Sequence, residues 1–319
     1  MTVDVYLTPT ELDATLRAEA LRGLTASPKY LSPTLLYDER GSELFERITE
    51  LPEYYPTRTE FALLCENAGE IADTTATEVL VELGSGSSEK TRVLLDALAP
   101  TLRTYVPQDV SEAALRPAVR RLTAEYPEVE VHGVVGDFTA SLAHLPAGGH
   151  RTIAFLGGTI GNFAPTERAE FLTGLAAILE PGEWLLLGAG LVVDPSVLVP
   201  AYDDAAGVTA EFDRNVLRVL NDRFGADFDP DLFVHRAVWD ADNEWIEMRL
   251  EATRAMTVHV PGLGIDVDFA EGEQMRTEIS AKFRLDRLAA ELDAAGFTVR
   301  REWVDADARF VVIAACRRR

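Results

Sequence analysis

Apolar and polar positions along the 319 residues follow two rhythms that trade places. Short apolar runs, too short for most helices and rich in β-branched residues, lie at Val79–Leu83, Thr101–Val106, Val129–Val135, Thr152–Leu156 and Trp184–Leu187, and these predict strands. Between them the spacing is helical, over Thr91–Leu98, from Glu112 onward and over Thr166–Leu179. Strands alternating with amphipathic helices imply right-handed crossovers and a doubly wound α/β sheet. Past residue 190 the alternation stops. A helix carrying Phe212, Val216, Leu217, Val219 and Leu220 leads into two long β-like runs, Val234–Trp239 and Glu244–Val260, with Gly262-Leu263-Gly264 as a turn. The first rhythm returns with a helix through Leu285, Leu288 and Leu292, then Phe297–Val304 and Arg309–Ala315, two strands that a short polar turn joins as an antiparallel closing hairpin. The pattern predicts a sheet domain over 61–190 and 283–319. A second α+β domain over 1–60 and 191–282 is expected to leave a cleft for a small ligand.

Ahead of the sheet, residues 10–24 carry a helical pattern through Leu12, Leu16, Ala20 and Leu21 that ends near Gly23. A proline-bearing stretch over 27–33 follows, and 42–46 reads as a short amphipathic helix. The loop from Leu51 to Glu60 ends in a helix start, with Thr57 or Thr59 as its cap and Phe61, Leu64, Cys65, Ala68 and Ile71 as its apolar face.

Charge narrows the partners. Aspartate and glutamate number 53 against 30 lysines and arginines, a net charge of −23 spread along the chain. Such a surface repels phosphate backbones and anionic lipid, so neither nucleic acid nor membrane is expected as a partner. No run approaches the ~20 apolar residues of a membrane span, and the N-terminus lacks a basic-then-apolar leader, so a cytoplasmic location is expected; the chain is also expected to be a monomer. Lysine occurs only at 29, 90 and 282, an arginine bias that fits a G+C-rich genome. Cys65 and Cys316 lie far apart and read as core residues, and the five histidines show no ligand spacing, so no disulfide framework and no metal are expected.

Candidate chemistry centres on Val79 to Lys90, a strand meeting Gly84-Ser85-Gly86 and then a helix, where a ligand can approach the main chain. A dinucleotide fingerprint needs a third glycine at 89; Glu89 stands there, which disfavours NAD. The absence of a Gly-Lys-Ser/Thr ending disfavours ATP. An acidic residue, Glu82, followed by Leu83-Gly84-x-Gly86 resembles the first motif of class I S-adenosylmethionine-dependent methyltransferases, departing from it at Ser88. Asp109, after the second strand, is suited to both ribose hydroxyls of an adenosine; it would otherwise be a helix cap, a role open also to Ser111. Asp137 and Phe138, after the third strand, resemble the residues that meet the adenine amino group and ring in that class. After the fourth strand Gly157-Gly158-Thr159-Ile160-Gly161-Asn162-Phe163 brings backbone close to a reacting centre, with an amide that both donates and accepts.

Two longer stretches sharpen the resemblance. Leu36-Tyr37-Asp38-Glu39-Arg40-Gly41-Ser42-x-Leu44-Phe45 and Leu51-Pro52-Glu53-Tyr54-Tyr55-Pro56-Thr57-Arg58-x-Glu60 resemble the N-terminal signature of the ergothioneine-pathway L-histidine Nα-methyltransferases. The resemblance runs through nearly the whole chain. It implies a class I methyltransferase Rossmann-like sheet and the conversion of histidine, through its mono- and dimethylated forms, to the trimethylbetaine hercynine. S-adenosylmethionine is the implied donor and S-adenosylhomocysteine the product. Donor contacts implied by the resemblance are Tyr37, Gly84, Lys90, Asp109, Asp137 and Phe138, with Lys90 able to attract the methionyl carboxylate; Gly86, from the same turn as Gly84, is expected to contact the donor as well. Substrate contacts implied are Tyr54 and Asn162 for the α-carboxylate and amine, Tyr202 for the carboxylate, Met248 along the side chain, and Glu278 with Ser280 for the imidazole; Gly157 is expected as a further substrate contact. In an extended 276–281 segment Glu278 and Ser280 project to one side. On composition alone Glu278 reads as a surface residue of a solvated strand, and the resemblance reverses that order. No general base is assigned; positioning by Tyr37, Tyr54 and Asn162 is the expected contribution, with Phe163 as a further aromatic rim. The rival readings are methylation of another amino acid such as tryptophan, and a non-catalytic S-adenosylmethionine-binding module.

Overall fold

The structure is a computed structural model that describes every residue except Met1, Ser87, Ser88, Glu89, Ala140 and the side chain of Pro9. The Ser88 departure and the Glu89 argument therefore lie outside the described residues. Along the chain run β1 (Thr2–Val5), α1 (Pro9–Thr25), α2 (Glu39–Thr49), α3 (Tyr55–Thr75), β2 (Val79–Leu83), α4 (Thr91–Leu98), β3 (Thr104–Asp109), α5 (Glu112–Glu125), β4 (Glu130–Val135), β5 (Arg151–Phe155), α6 (Pro165–Ile178) and β6 (Trp184–Gly190). Then come α7 (Pro195–Tyr202), α8 (Val208–Phe224), β7 (Phe233–Asp240), β8 (Trp245–Ala252), β9 (Met256–Val260), β10 (Ile265–Phe269), β11 (Gln274–Ala281), α9 (Leu285–Ala294), β12 (Phe297–Val304) and β13 (Phe310–Arg317). The chain divides into one unit of Met1–Thr8, Pro56–Val192 and Phe283–Arg319, and another of Pro9–Tyr55 and Val193–Lys282.

The first unit is an eight-stranded sheet in the order β1-β4-β3-β2-β5-β6-β13-β12. β2 to β6 are mutually parallel, and β13 enters antiparallel between β6 and β12. This is the doubly wound sheet with a closing hairpin that the hydrophobic pattern predicts. Its strands read as unbroken apolar runs because helices cover both faces of a parallel sheet; Leu80, Val81, Val106, Ile153, Ala154, Leu185 and Leu187 are all fully buried. The edge differs from expectation. Residues 2–5 form β1, parallel to β4, so the N-terminus joins the sheet and not the second unit.

The helix before β2 also differs. α3 begins at Tyr55, so Thr57 and Thr59 lie inside its first turns and do not cap it. Its inward face runs through Glu60, Leu63, Leu64 and Ile71, while Phe61 and Cys65 are exposed. The expected face is displaced because a carboxylate occupies an inward position, which a search for apolar periodicity passes over.

In the second unit, β11-β8-β7 form an antiparallel sheet and β9-β10 a separate hairpin. The 244–260 run is thus two strands, parted at Thr253-Arg254-Ala255. The core gathers Leu16, Leu24, Leu44, Phe212, Leu217, Phe233 and Leu250 from α1, α2, α8 and the sheet, with Leu36 from the 3-10 turn Pro33–Leu36 and Tyr55 from the start of α3. α1 runs on through Gly23, where the main chain of Tyr30 comes so close that a methyl group would sit 2.0 Å from its carbonyl oxygen.

Candidate active site

In the sheet unit, the residues expected to meet the donor lie at the carboxyl ends of β2, β3 and β4. Gly84 and Gly86 have φ of +67° and +50°, conformations that side chains resist. Gly84 and Ser85 donate their N–H groups to the Gln108 carbonyl (2.9 and 3.0 Å), stitching the turn to β3. Asp109 then fixes the turn's far side: its Oδ2 accepts the Gly86 N–H at 3.0 Å and its Oδ1 the Ser111 N–H at 2.9 Å. Burial raises the Asp109 pKa against the pull of these bonds. Ser111 is the cap of α5, accepting the Ala114 N–H at 3.2 Å. With the N–H groups of Ser111, Gly86 and Val110 acting on it, the Asp109 carboxylate's four lone-pair directions leave capacity for a ribose hydroxyl.

Two polar atoms at this edge, Ser85 Oγ and Gln108 Oε1, are buried with no hydrogen-bond partner among the described residues. Buried orphans of this kind are uncommon and mark places where a ligand completes the bonding. Phe138 stands beside the turn, its Cε1 3.6 Å from where a methyl on Gly84 would lie, and its ring meets Phe155 and Phe171 at 5.4 and 5.9 Å. Asp137 Oδ1 accepts the Thr139 N–H and hydroxyl (2.8 and 2.6 Å), which orders the residues after β4. Bare glycine backbone, a buried carboxylate, orphaned acceptors and an aromatic face fit an adenosine-bearing ligand.

Beyond β5, Gly157 and Gly158 both take left-handed conformations, φ +79° and +70°, and lead into the short 3-10 turn Thr159–Asn162. Asn162 is half-buried on that turn. Phe163 stacks on Phe171 (4.9 Å, 22°) as part of the aromatic cluster. Lys90 is joined to Glu60, whose Oε2 lies 2.5 Å from its ammonium. Glu60 Oε1 accepts the Gly157 N–H at 2.7 Å, and the residue is fully buried. Glu60 is therefore the anchor through which α3 holds both Lys90 and Gly157 in place. Sequence reading missed it, although the signature stretch that ends on Glu60 was the available signal.

The second unit brings the remaining predicted residues together. Tyr37, Tyr54 and Tyr202 belong to one chain of rings: Tyr202 meets Tyr54 at 6.0 Å, Tyr54 meets Phe45 at 6.1 Å, and Tyr37 meets Phe45 and Phe212 at 5.6 and 5.5 Å. Tyr37 keeps 40% of its surface open. Even so, desolvation, followed by the charges of Glu278 and Tyr202, raises its phenol well above the ordinary value. Crowding by protein together with open surface is what a concave wall produces. Such aromatic faces attract cations.

Glu278 and Ser280 lie on β11, paired with Met248 and Ile246 of β8. Directly opposed residues share a face, and Met248 and Ile246 are 2% and 0% exposed, so this is the inward face. A β-bulge between Arg276 and Glu278 sets this arrangement. Met275 faces in opposite Leu250 and Arg276 faces out opposite Arg249; the extra residue Thr277 then resets the alternation, so that 278 and 280 face in. Simple alternation placed Glu278 and Ser280 together correctly, but would have put Arg276 beside them. Thr277 is fully buried and its hydroxyl donates to the Met248 carbonyl at 3.0 Å.

Two buried groups that sequence reading left unassigned brace Tyr202. Lys282 donates to the Tyr202 hydroxyl at 2.6 Å and to Ser280 Oγ at 2.8 Å, and those two oxygens are 2.9 Å apart. Desolvation lowers the Lys282 pKa to about 8, with Tyr55 and Glu278 opposing the shift. His235 sits between Asp213 Oδ2 (2.7 Å) and the Tyr202 carbonyl (2.8 Å). Both partners are acceptors, so both ring nitrogens must donate, and the imidazole is held as its cation. Burial acts against that charge, and Asp213 outweighs it to raise the pKa.

The sheet topology and the residues at its carboxyl edge fit the class of enzymes that take methyl groups from S-adenosylmethionine. Comparison with known proteins narrows the class. The chain belongs to the family of S-adenosylmethionine-dependent, histidine-specific methyltransferases, whose family model matches residues 16–317. It is 51% identical over 302 residues to the histidine N-alpha-methyltransferase of Mycolicibacterium smegmatis, covering 94% of each chain. To the enzyme of the same name from Mycobacterium tuberculosis it is 50% identical over 292 residues, 91% of each. It is also 37% identical over 205 residues to ergothioneine biosynthesis protein 1 of Neurospora crassa, 62% of this chain and 23% of that one.

Proposed function

We propose that the protein transfers three methyl groups in turn from S-adenosylmethionine to the α-nitrogen of L-histidine, forming hercynine as the first step of ergothioneine biosynthesis. The observation that carries this reading is identity of about one half, over nine-tenths of both chains, to two histidine N-alpha-methyltransferases. The glycine turn with Asp109, Asp137 and Phe138 supports the donor assignment, and the inward pair Glu278 and Ser280 supports the acceptor assignment.

The donor supplies an electrophilic methyl carbon on a sulfonium. In each round the nitrogen lone pair forms the new C–N bond as the C–S bond breaks, and the nitrogen sheds a proton in every round to remain a nucleophile. The chain's part is to bind and orient. Glu278 accepts the imidazole N–H and Ser280 meets the other ring nitrogen, while Met248 lies along the ring. In the second unit, Tyr54 and Tyr202 are the groups assigned to the carboxylate; in the sheet unit, Asn162 is assigned to the amine and carboxylate, and Gly157 is a further substrate contact. Fixing a nucleophile in attack geometry contributes about 7–11 kcal/mol toward a barrier. Tyr37 and Tyr54 turn aromatic surface toward a nitrogen that becomes a permanent cation. Lys90, already paired with Glu60, offers its remaining N–H directions to the methionyl carboxylate.

The test is calorimetric titration of histidine, tryptophan and a dipeptide into the protein with S-adenosylhomocysteine present, then mass spectrometry of each acceptor after incubation with S-adenosylmethionine. Histidine-selective binding with gains of one to three methyls is expected. Donor-product binding without acceptor preference or methylation would overturn the assignment and leave a binding module.

A further inference from the structure

Lys282 is a buried cation, 6% exposed, two residues beyond Ser280. Its ammonium, the Tyr202 phenol and the Ser280 hydroxyl form a closed triangle with sides of 2.6, 2.8 and 2.9 Å. The ammonium only donates, so both hydroxyl oxygens accept from it. One bond remains, between the hydroxyls. A phenol is the more acidic partner and, with its lone pair drawn into the ring, the poorer acceptor; Tyr202 therefore donates and Ser280 accepts. Ser280 Oγ then holds two incoming bonds, which fill both of its lone pairs. Its own proton must point out of the triangle.

We infer that Lys282 is a positioning residue which, through Tyr202, locks Ser280 as an obligatory donor, so that the inward face of β11 accepts an azole ring only as a neutral tautomer with one N–H toward Glu278 and one bare nitrogen toward Ser280. The inference rests on the histidine reading and adds its selectivity. An imidazolium would set N–H against O–H at Ser280. An indole presents one N–H and no bare nitrogen, leaving the Ser280 proton unsatisfied, and sites that strand a polar group discriminate strongly. The Lys282 charge opposes the imidazolium as well, against the Glu278 carboxylate that would favour it. Remove the ammonium, and Ser280 regains a lone pair and can accept from a protonated ring.

The test uses the full chain with S-adenosylhomocysteine and histidine labelled with 15N in the ring, followed by NMR at about pH 5.5, below the ordinary histidine pKa of about 6.5. The wild type should show one protonated and one bare ring nitrogen. Lys282→Met and Ser280→Ala should each show two protonated nitrogens, lose histidine affinity by about tenfold at neutral pH, and keep S-adenosylhomocysteine affinity. Lys282→Met combined with Ser280→Ala should be no worse than either alone, because both remove one device. A doubly protonated ring in the wild type, an unchanged single tautomer in both variants, or additive losses would overturn the inference. Should Lys282→Met fail to fold, Ser280→Ala carries the test. Absence of any histidine binding by the wild type would instead sink the substrate reading itself.

Discussion

Gly188→Ala tests whether Glu60 is the anchor of the donor edge. Position 188 lies in β6, bonded to β5 on one side and β13 on the other, so its backbone cannot retreat. A methyl there would sit 2.1 Å from Glu60 Oε1 and 3.3 Å from both Glu60 Cδ and Phe310 Cε1. The carboxylate must swing aside by about an ångström to restore ordinary contact. That movement breaks the 2.7 Å bond from Gly157 N–H and the 2.5 Å pair with Lys90. Disrupting a buried ion pair costs about 3–5 kcal/mol; Lys90 is 29% exposed, so water recovers part of its share and the lower end applies. At roughly 2–4 °C per kcal/mol, melting should fall by about 6–12 °C. S-adenosylhomocysteine affinity should fall with it, since both Lys90 and the Gly157 backbone lose their support. Differential scanning calorimetry and titration read the two effects. Glu60→Ala makes room for the methyl, so the double variant should match Glu60→Ala alone. A Gly188→Ala protein that melts within about 1 °C of wild type would refute the reasoning, because it would mean that Glu60 shifts at no cost.

Other consequences are separable from this one. Glu278→Ala removes a charge-accepted hydrogen bond worth about 1.5–3 kcal/mol, so kcat/KM for histidine should drop about 10- to 150-fold while S-adenosylhomocysteine affinity holds; equal loss of both would mean Glu278 only supports β11. Asp109→Ala removes the acceptor for two turn N–H groups, so the stabilisation of about 2.7 kcal/mol that a ligand gives at one hundred times its Kd should vanish at wild-type saturating S-adenosylhomocysteine in a thermal-shift assay. His235 has its pKa raised in the fold, so its contribution is fully present below about pH 6.5 and declines as pH rises through the folded value. Denaturant titrations across that range should show stability falling with pH in the wild type and a flatter profile in His235→Gln; a wild type that gains stability over the same interval would contradict the charged His235–Asp213 pair.

What could be read from sequence follows from what periodicity encodes. The buried parallel strands announce themselves because both faces are covered, and the glycine turn and strand-end acids stand out at the carboxyl edge of the sheet, where we propose that the donor binds, because ligand approach demands those residue types. Alternation put Glu278 with Ser280 but could not reveal the bulge at Thr277, since one extra residue in a strand leaves no mark on composition. Residues 2–5 were passed over because an edge strand with one partner needs little apolar character. The apolar face of α3 was misplaced toward Phe61 and Cys65 for the opposite reason: Glu60 points inward, and a pattern built on hydrophobicity reads a carboxylate as outward.

The lysines carry that argument furthest. Three among 30 basic residues looked like the residue of a genome bias, yet each is built into a definite contact. Lys29 pairs with Glu273, Lys90 with Glu60, and Lys282 with Tyr202 and Ser280. Arginine would not serve at the last of these. A planar guanidinium spreads its donors over a fork and is matched to carboxylates, whereas a compact ammonium directs its protons to two hydroxyls less than 3 Å apart. Of the three lysines only Lys282 has two hydroxyls as its hydrogen-bond acceptors, so it is there that a point charge is required, on the inward face that the substrate ring would meet.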